Sequence, residues 1–251
     1  MYILSFILLS PLLGAGLIAL WPREQRVAIR AIALVTTSFS MLLAMWAFAG
    51  FAGATEGLGG FKYVHRVAWV DALGIHYLVG ADGINIGLIL MAAIVSFAAV
   101  CVSHSIEERF KEFHFLMLLM ITGILGAFMS IDLFFFYFFH ELALIPTFIM
   151  IGVWGRGEQR QYATYKMTLY LTLGALVALA GLVLLYIQSG AKTFDLVALS
   201  QQLEAQPLRP ESQSLIFGLL LVGFGILVSL WPCLLYTSDA ADEGLGVDLG
   251  G

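Results

Sequence analysis

The stretch LFFFYFFHELALIPTFIMIGVW, residues 133–154, decides the fold of this chain. Its length suits a membrane-spanning helix, because a hydrocarbon layer about 30 Å thick requires roughly 20 residues in helical conformation. Its apolar residues run continuously and do not alternate with polar ones, which favours a helix over a half-buried strand. His140 and Glu141 interrupt the run near its middle. The stretch therefore predicts a transmembrane helix with an acidic side chain at membrane depth.

The composition extends this prediction to the rest of the chain. Of the 251 residues, 61% are hydrophobic and 12% are charged, and the mean hydropathy is +0.94. Soluble domains are about 45–50% apolar and about 25% charged. Within a bilayer, backbone N–H and C=O groups must pair internally, so spanning segments are helices or closed barrels. We therefore expect an all-α, polytopic transmembrane helix bundle, and neither a soluble enzyme nor a protein that binds nucleic acid.

Seven segments are predicted as membrane spans. The first does not resemble a secretion signal, because no basic residue precedes its apolar run. The polar stretches 55–81 and 189–213 are expected to connect spans outside the membrane. The predicted spans are residues 2–21, 29–52, 83–104, 113–131, 133–154, 164–187 and 214–232.

Lysine and arginine residues are distributed unevenly between the two sides of this predicted bundle. Eight fall on one side and four on the other. Short connections rich in Lys and Arg stay in the cytoplasm, so we expect the N-terminus to lie outside. The eight are Arg23, Arg26, Arg30, Arg109, Lys111, Arg156, Arg160 and Lys166, and the four are Lys62, Arg66, Lys192 and Arg209.

The last nineteen residues differ in character from the rest of the chain. The sequence CLLYTSDAADEGLGVDLGG, residues 233–251, is polar and contains four acids. It resembles a translated sequencing adaptor, so we expect residues 233–251 to be a non-native tail that follows a membrane region of residues 1–232. A native polar tail is the alternative.

Glu141 is the strongest candidate for a functional residue. An acid at the centre of a membrane helix costs about 2.5–3.5 kcal/mol on insertion scales. A cationic partner, a water-filled cavity or protonation of the carboxylate must offset that cost. The adjacent His140 is a possible proton relay, because histidine side chains can change charge near neutral pH. Pro146 should free the carbonyl of Leu142, because proline has no N–H. Glu141 is thus predicted to transfer a proton or an ion; the alternative is a protonated side chain that only joins two helices.

Other charged residues have structural explanations. Asp132 precedes the fifth span and Asp82 precedes the third, so both are predicted to cap helices. Lys166, near the start of the sixth span, either extends to the lipid headgroups or pairs with an acid deeper in the bundle. The histidine spacing does not suit haem, and Cys101 and Cys233 match neither a metal site nor a disulfide framework. No cofactor or metal is therefore expected in this chain.

The segment DLFFFYFFHELALIPTFIMIGVWG, residues 132–155, resembles the fifth span of the antiporter-like, proton-translocating membrane subunits of respiratory complex I, the NADH:quinone oxidoreductase. The shared pattern is an Asp, an aromatic run, a Glu preceded by His or Trp, a Pro and a closing G-x-W-G. VGADGINIGLIL (residues 79–90) and YATYKMTLYLTLGAL (residues 162–176) add to the resemblance, the latter being similar to the sixth span. It covers residues 1–232 and points in particular to the subunit M, or chain 4, branch.

This resemblance implies a fourteen-span subunit, of which about seven spans are present, built from two inverted repeats that each hold a half-channel for protons. Glu141 would be the key acid of the first half-channel, and Lys166 a candidate cationic partner whose approach or withdrawal changes the charge of the acid. The family couples electron transfer from NADH to quinone with proton transport. NADH, quinone, FMN and iron–sulfur clusters would bind to partner subunits. The partners would be neighbouring antiporter-like subunits and the lipid of a bacterial inner membrane.

Two features depart from the family pattern. The family places a lysine in the seventh span as the partner of the fifth-span Glu, whereas residues 214–232 contain no charged residue and Leu227 or a neighbour takes that place. Lys166 or a cation further along the chain would replace it, or the first channel works differently. The chain also ends in the seventh span, so we expect the small-residue face at Gly174 and Gly181 to lack its usual packing partners.

Two other classes of function remain open. A subunit of a multisubunit sodium/proton antiporter or of a membrane-bound hydrogenase would carry the same fifth-span Glu. A non-conducting membrane scaffold would use the helices only to hold a complex together.

Overall fold

The computed structural model describes residues 2–155 and 160–228, so Arg156, Cys233 and the tail predicted for residues 233–251 lie outside the described residues. Within them, seven helices are long and apolar enough to cross a membrane, and each lies within five residues of a predicted span at both ends. The prediction of a polytopic helix bundle is therefore confirmed. The elements are α1 Ile3–Leu20, α2 Arg26–Gly50, β1 Lys62–Val70, β2 Ile75–Ala81, α3 Asn85–Val102, α4 Phe110–Met129, α5 Leu133–Trp154, α6 Arg160–Ser189, α7 Leu196–Ala205 and α8 Pro210–Leu227.

The chain divides into two structural units. The first contains α1 to α5, the strands β1 and β2, and residues 191–202. The second contains α6, α8 and the residues beside them. Of the eight α-helices in the part of the chain that the structure describes, only α7 is too short to span a membrane.

Helix α1 forms the centre of the first unit, where it packs against α2 and α4. Small residues allow the close approach, since a Cβ at Gly14 would lie 2.7 Å from the Thr36 hydroxyl. Hydroxyl groups add hydrogen bonds between the helices: Ser40 donates to the Ile7 carbonyl at 3.0 Å, and Ser10 donates to the Thr36 carbonyl at 3.3 Å. Small residues and interhelical hydrogen bonds hold membrane helices together because lipid supplies no hydrophobic driving force between them.

A two-stranded antiparallel hairpin lies between α2 and α3, where the sequence analysis predicted only a polar connection. Strand β1 pairs with β2 from Lys62 opposite Ala81 to Val70 opposite Ile75. The turn between them ends at Gly74, which has a φ of +65°, a backbone conformation that residues with a Cβ rarely adopt. The hairpin contacts α1, α4 and α5, and the end of the first unit on which it lies is called the hairpin end below.

In the second unit, α6 and α8 pack face to face. A Cβ at Gly174 would lie 2.5 Å from Ile226, and one at Gly181 would lie 2.8 Å from Leu220. The expectation that these two glycines lack packing partners is therefore wrong. Helix α8 covers them because its own Gly223 lets the two backbones approach at Ala178.

Candidate functional site

The turn of α5 that carries Glu141 is positioned by close contact with α4. A Cβ at Gly123 would lie 2.5 Å from the Ala143 backbone nitrogen and 2.7 Å from the Phe139 carbonyl oxygen. Gly126, one turn further along α4, lies directly against the Phe139 ring. Helix α4 is therefore in contact with α5 at Phe139 and at Ala143, which precede and follow Glu141 by two residues. These contacts fix the position of this turn of α5 along the axis of α4.

Glu141 itself points away from that contact. It is the ninth residue of the 22-residue helix α5, so it lies about 12 Å along the axis from Leu133. Phe139 and Ala143, which meet α4, are each two residues away from it, and two residues correspond to about 200° of helix rotation. The Glu141 side chain is 31% exposed in the isolated chain. The face of α5 that carries the carboxylate is therefore the face that α4 does not cover.

Three polar side chains meet on this face. Nδ1 of His140 lies 3.6 Å from Oε1 of Glu141, a distance at which a protonated imidazole forms an ion pair. The Tyr137 hydroxyl, one helical turn earlier, lies close to the same carboxyl group. Sequence reasoning identified His140 and Glu141 but missed Tyr137, although its i to i+4 spacing from Glu141 was the signal that places the two side chains together.

Two atoms of this cluster have unused hydrogen-bonding capacity. Among the described residues, His140 Nδ1 and Glu141 Oε1 are the buried side-chain polar atoms without a hydrogen-bond partner. A buried polar atom without a partner costs about 1–3 kcal/mol, so native proteins rarely leave one without a functional or structural reason. The pair can accept or exchange a proton, or bind a water molecule, without first breaking a hydrogen bond.

Pro146 lies inside α5 and is buried, and the helix continues through it to Trp154. One residue later, the Thr147 hydroxyl donates to the Ala143 carbonyl at 2.8 Å. The predicted loss of a backbone donor to Leu142 follows from the chemistry of proline. Without that donor, the carbonyl oxygen of Leu142, one residue after Glu141, is available as an acceptor.

Lys166, the candidate cationic partner, lies in the second turn of α6 with an exposed side chain. It belongs to the second structural unit, whereas Glu141 belongs to the first. In the first unit, no described Lys or Arg lies within 4.0 Å of the Glu141 carboxylate. The pairing of Lys166 with Glu141 stays a prediction.

At the hairpin end, Asp132 caps α5, as the sequence predicted. Its carboxylate is fully buried and accepts hydrogen bonds from the backbone N–H groups of Phe134 at 2.9 Å and Phe135 at 3.1 Å. It also accepts one from the His76 N–H of strand β2 at 3.0 Å. Burial raises the pKa of Asp132 above its ordinary value, and these three donors oppose that shift. Asp132 therefore joins the start of α5 to the hairpin.

Asp82 fulfils its predicted role in the same way. Its carboxylate accepts from the backbone N–H groups of Ile84 at 2.9 Å and Asn85 at 2.6 Å, and the Asn85 side chain accepts from the Asp82 N–H at 2.7 Å. This reciprocal pattern fixes the first turn of α3.

A third capping aspartate, Asp195, was missed by the sequence analysis. It is buried and accepts from the backbone N–H groups at the start of α7, including that of Val197 at 2.9 Å. Arg66 of β1 lies 3.9 Å from its carboxylate. The backbones of Asp132 and Asp195 pair as an antiparallel bridge, so residues 191–202 are fixed against the start of α5. An aspartate directly before the mixed polar and apolar run LVALSQQLEA was the available signal for this short helix.

Within the described residues, no group of three or more His, Cys, Asp or Glu side chains is arranged to hold a metal ion. The candidate site consists of titratable side chains on one membrane helix. Its arrangement suits the acceptance and release of a proton.

Residues 130–244 match a family model described as the transmembrane region of NADH:quinone oxidoreductases and Mrp antiporters. Curated relatives extend the similarity to almost the whole chain. NAD(P)H-quinone oxidoreductase chain 4 of a Picosynechococcus species is 30% identical over 240 residues, which are 96% of this chain and 44% of the relative. NADH-quinone oxidoreductase subunit M of Rhodobacter capsulatus is 31% identical and is matched over 48% of its length.

Solved structures show the same fold. A chain of respiratory complex I from Thermus thermophilus aligns with a TM-score of 0.73 and 28% identity, covering 90% of this chain and 43% of that one. A chain of the Mrp complex from a Dietzia species aligns with a TM-score of 0.65 and 18% identity, covering 88% of this chain and 23% of that one, which supports the fold alone. The chain spans less than half the length of these relatives. Residues 130–244 thus resemble the transmembrane region that NADH:quinone oxidoreductases and Mrp antiporters have in common, and almost the whole chain is similar to part of subunit M or chain 4 of quinone oxidoreductases.

Proposed function

We propose that the full-length subunit to which this chain corresponds moves protons across a bacterial inner membrane as part of an NADH:quinone oxidoreductase. The observation that carries this proposal is the cluster on α5, where buried atoms of His140 and Glu141 lie 3.6 Å apart without hydrogen-bond partners at membrane depth. Relatives at 30–31% identity carry the names of quinone oxidoreductase subunits, which favours this complex. The basic loops would face the cytoplasm and the N-terminus would lie outside.

In this proposal Glu141 is the group that binds and releases the proton. A carboxylate at membrane depth is stable only with a cation, water or a bound proton beside it. A cation beside the carboxylate would favour its charged form, and Lys166 is the candidate cation within this chain. His140 and Tyr137 would pass the proton to and from Glu141. The redox chemistry, with NADH, quinone, FMN and iron–sulfur clusters, would take place in partner subunits.

The second candidate is a subunit of an Mrp-type antiporter. The similarity of fold to the Dietzia Mrp chain supports it, as does the shared family model. Both candidates assign the same role to Glu141 and differ in what drives the proton, so NADH dependence separates them.

The test is NADH-driven proton pumping in membrane vesicles that contain the full-length subunit in its complex, with Glu141→Gln. The substitution keeps shape and hydrogen bonding but removes the titrating group. We expect pumping to fall by at least about tenfold while the complex still assembles, because general acid–base groups contribute about 10²–10⁴-fold to proton-transfer rates. Glu204→Gln, the same change at an exposed position of α7, is the matched control and should pump at the parent rate.

Normal pumping by Glu141→Gln would show that Glu141 only joins helices, and the scaffold interpretation would replace the proposal. If the parent complex does not pump protons when NADH is supplied, but does move them when a sodium gradient is imposed, the antiporter would be favoured.

A further inference from the structure

The end of the first unit opposite the hairpin carries a cavity lined largely by cations. Its volume is about 300 Å³, and it lies between the α1–α2 connection and the start of α4. A smaller cavity of about 170 Å³ shares Arg26, Glu107 and Phe110 with it and adds Arg30. The two cavities together are lined by five basic side chains, Arg23, Arg26, Arg30, Arg109 and Lys111, and two acidic ones, Glu107 and Glu112. We call this region the basic cavity.

Three of the five cations already have partners. Arg23 forms an ion pair with Glu112 at 3.1 Å. Lys111 donates to the carbonyls of Ala19 at 2.9 Å and Trp21 at 2.7 Å, and it thereby satisfies the C-terminus of α1. Arg30 donates to the His104 carbonyl at 2.9 Å and lies over the Phe110 ring. These contacts hold the walls of the basic cavity in place.

Arg26 and Arg109 differ from the other three. Neither guanidinium has a hydrogen bond, an ion pair or a ring contact within the described part of the chain. Two arginine forks therefore line one cavity with all their donors free. Glu107 is the carboxylate without an ion pair there, so positive charge remains in excess after the existing pairs are counted. Glu24 and Glu108 belong to the same connections but do not line the cavity.

The ends of the predicted spans place the basic cavity at the level of the lipid headgroups. Helix α1 ends at Leu20, α2 begins at Arg26 and α4 begins at Phe110, so all three spans reach the membrane surface here. Leu20 and Val27 are 87% and 86% exposed, and their apolar side chains offer a surface for acyl chains beside the cavity. The Trp21 indole, which donates to the Gln25 side chain at 2.9 Å, is typical of the aromatic belt at a membrane interface.

We propose that the basic cavity binds the phosphate of an anionic phospholipid, with Arg26 and Arg109 as its ligands. Arginine recognises phosphate oxygens with paired N–H groups in a fixed fork, which a single point charge does not provide. Basic pockets between transmembrane helices are suited to anionic headgroups. A zwitterionic lipid would place its own ammonium group among the five cations, so the cavity discriminates by headgroup charge. The lipid would fasten the α1–α2 connection to the start of α4.

The test measures lipid binding to the purified full chain in a neutral detergent by native mass spectrometry. The probes are phosphatidylglycerol and phosphatidylcholine with identical acyl chains. We expect the double variant Arg26→Gln/Arg109→Gln to bind phosphatidylglycerol about thirtyfold more weakly, since each basic residue near an anionic headgroup contributes on the order of fivefold. Lys192→Gln/Arg209→Gln, which also removes two charges, should change binding by less than about threefold.

A second double variant, Arg26→Lys/Arg109→Lys, keeps both charges and loses the forks. We expect intermediate binding, and this variant also reports on the site if the glutamine pair fails to fold. Equal losses in the glutamine pair and its control would show only general attraction to charge, and equal binding of phosphatidylcholine would overturn the proposal. Displacement of the lipid by inorganic phosphate at equal concentration would assign the cavity to a soluble anion instead.

Discussion

Replacement of Gly123 by alanine tests the contact that positions Glu141. The added Cβ would lie 2.5 Å from the Ala143 nitrogen, and ordinary contact begins near 3.4 Å, so α4 and α5 must separate by about 0.9 Å. Both nearest groups are backbone atoms of a helix, which cannot move aside as the end of a side chain can. Overpacking of this kind costs about 1–3 kcal/mol. We expect Gly123→Ala to lower the free energy of unfolding and to displace the turn that carries Glu141.

The matched control is Gly16→Ala in α1, where the added Cβ would meet no atom within 4 Å. Both variants replace a helical glycine, so the gain in helix propensity of about 1 kcal/mol is common to both and cancels in the comparison. The free energies of unfolding, measured by titration with denaturing detergent, should therefore differ by about 1–3 kcal/mol, with Gly123→Ala the less stable. In the full-length subunit, Gly123→Ala should also reduce NADH-driven pumping. Equal unfolding midpoints for the two variants would refute the backbone contact between α4 and α5.

Two further predictions concern the hairpin end. Asp132→Ala removes the acceptor of three backbone N–H groups and should lower the free energy of unfolding by about 2–3 kcal/mol. Asp71→Ala, at an exposed turn, is the control and should change that free energy little. Similar losses in the two variants would argue against the cap. His65 accepts from or donates to the Ser5 hydroxyl at 2.7 Å, and burial lowers its pKa. The neutral form of His65 is therefore favoured in the folded chain. Its contribution to the stability of the hairpin should be fully present above the ordinary histidine pKa and should be lost as the pH falls from there through the lowered pKa. Hydrogen exchange of the hairpin amides should show this loss in the parent and not in His65→Gln, and identical pH profiles would contradict it.

The spans were predictable because lipid imposes one simple condition on each segment. About 20 continuous apolar residues satisfy that condition whatever surrounds them, and each of the seven predicted spans corresponds to a helix among the described residues. The caps at Asp82 and Asp132 were predictable for a similar reason, since an aspartate before an apolar run bonds to N–H groups two and three residues away.

The hairpin and the place of α7 in the fold were not predicted, because the residues that hold them in position are distant in the sequence. Strand β2 continues its pairing to Ser130, and the backbone of Asp132 pairs with that of Asp195. Arg66 then approaches Asp195 from strand β1. None of these partners is a neighbour along the chain, so local patterns cannot reveal them. The glycine face of α6 was misjudged for the same reason, since only the fold shows that α8 covers it.

The sequence by itself determined that this chain spans a membrane, where the seven spans of its described part lie, and that Glu141 is the acid at membrane depth. These conclusions follow from the cost of placing polar groups in hydrocarbon, which is a property of each segment alone. Only the tertiary structure decided the direction in which Glu141 points, the atoms left without partners beside it, and the cavity in which Arg26 and Arg109 are free. Those features depend on which helix faces touch, and small residues such as Gly123 decide that by letting one backbone approach another.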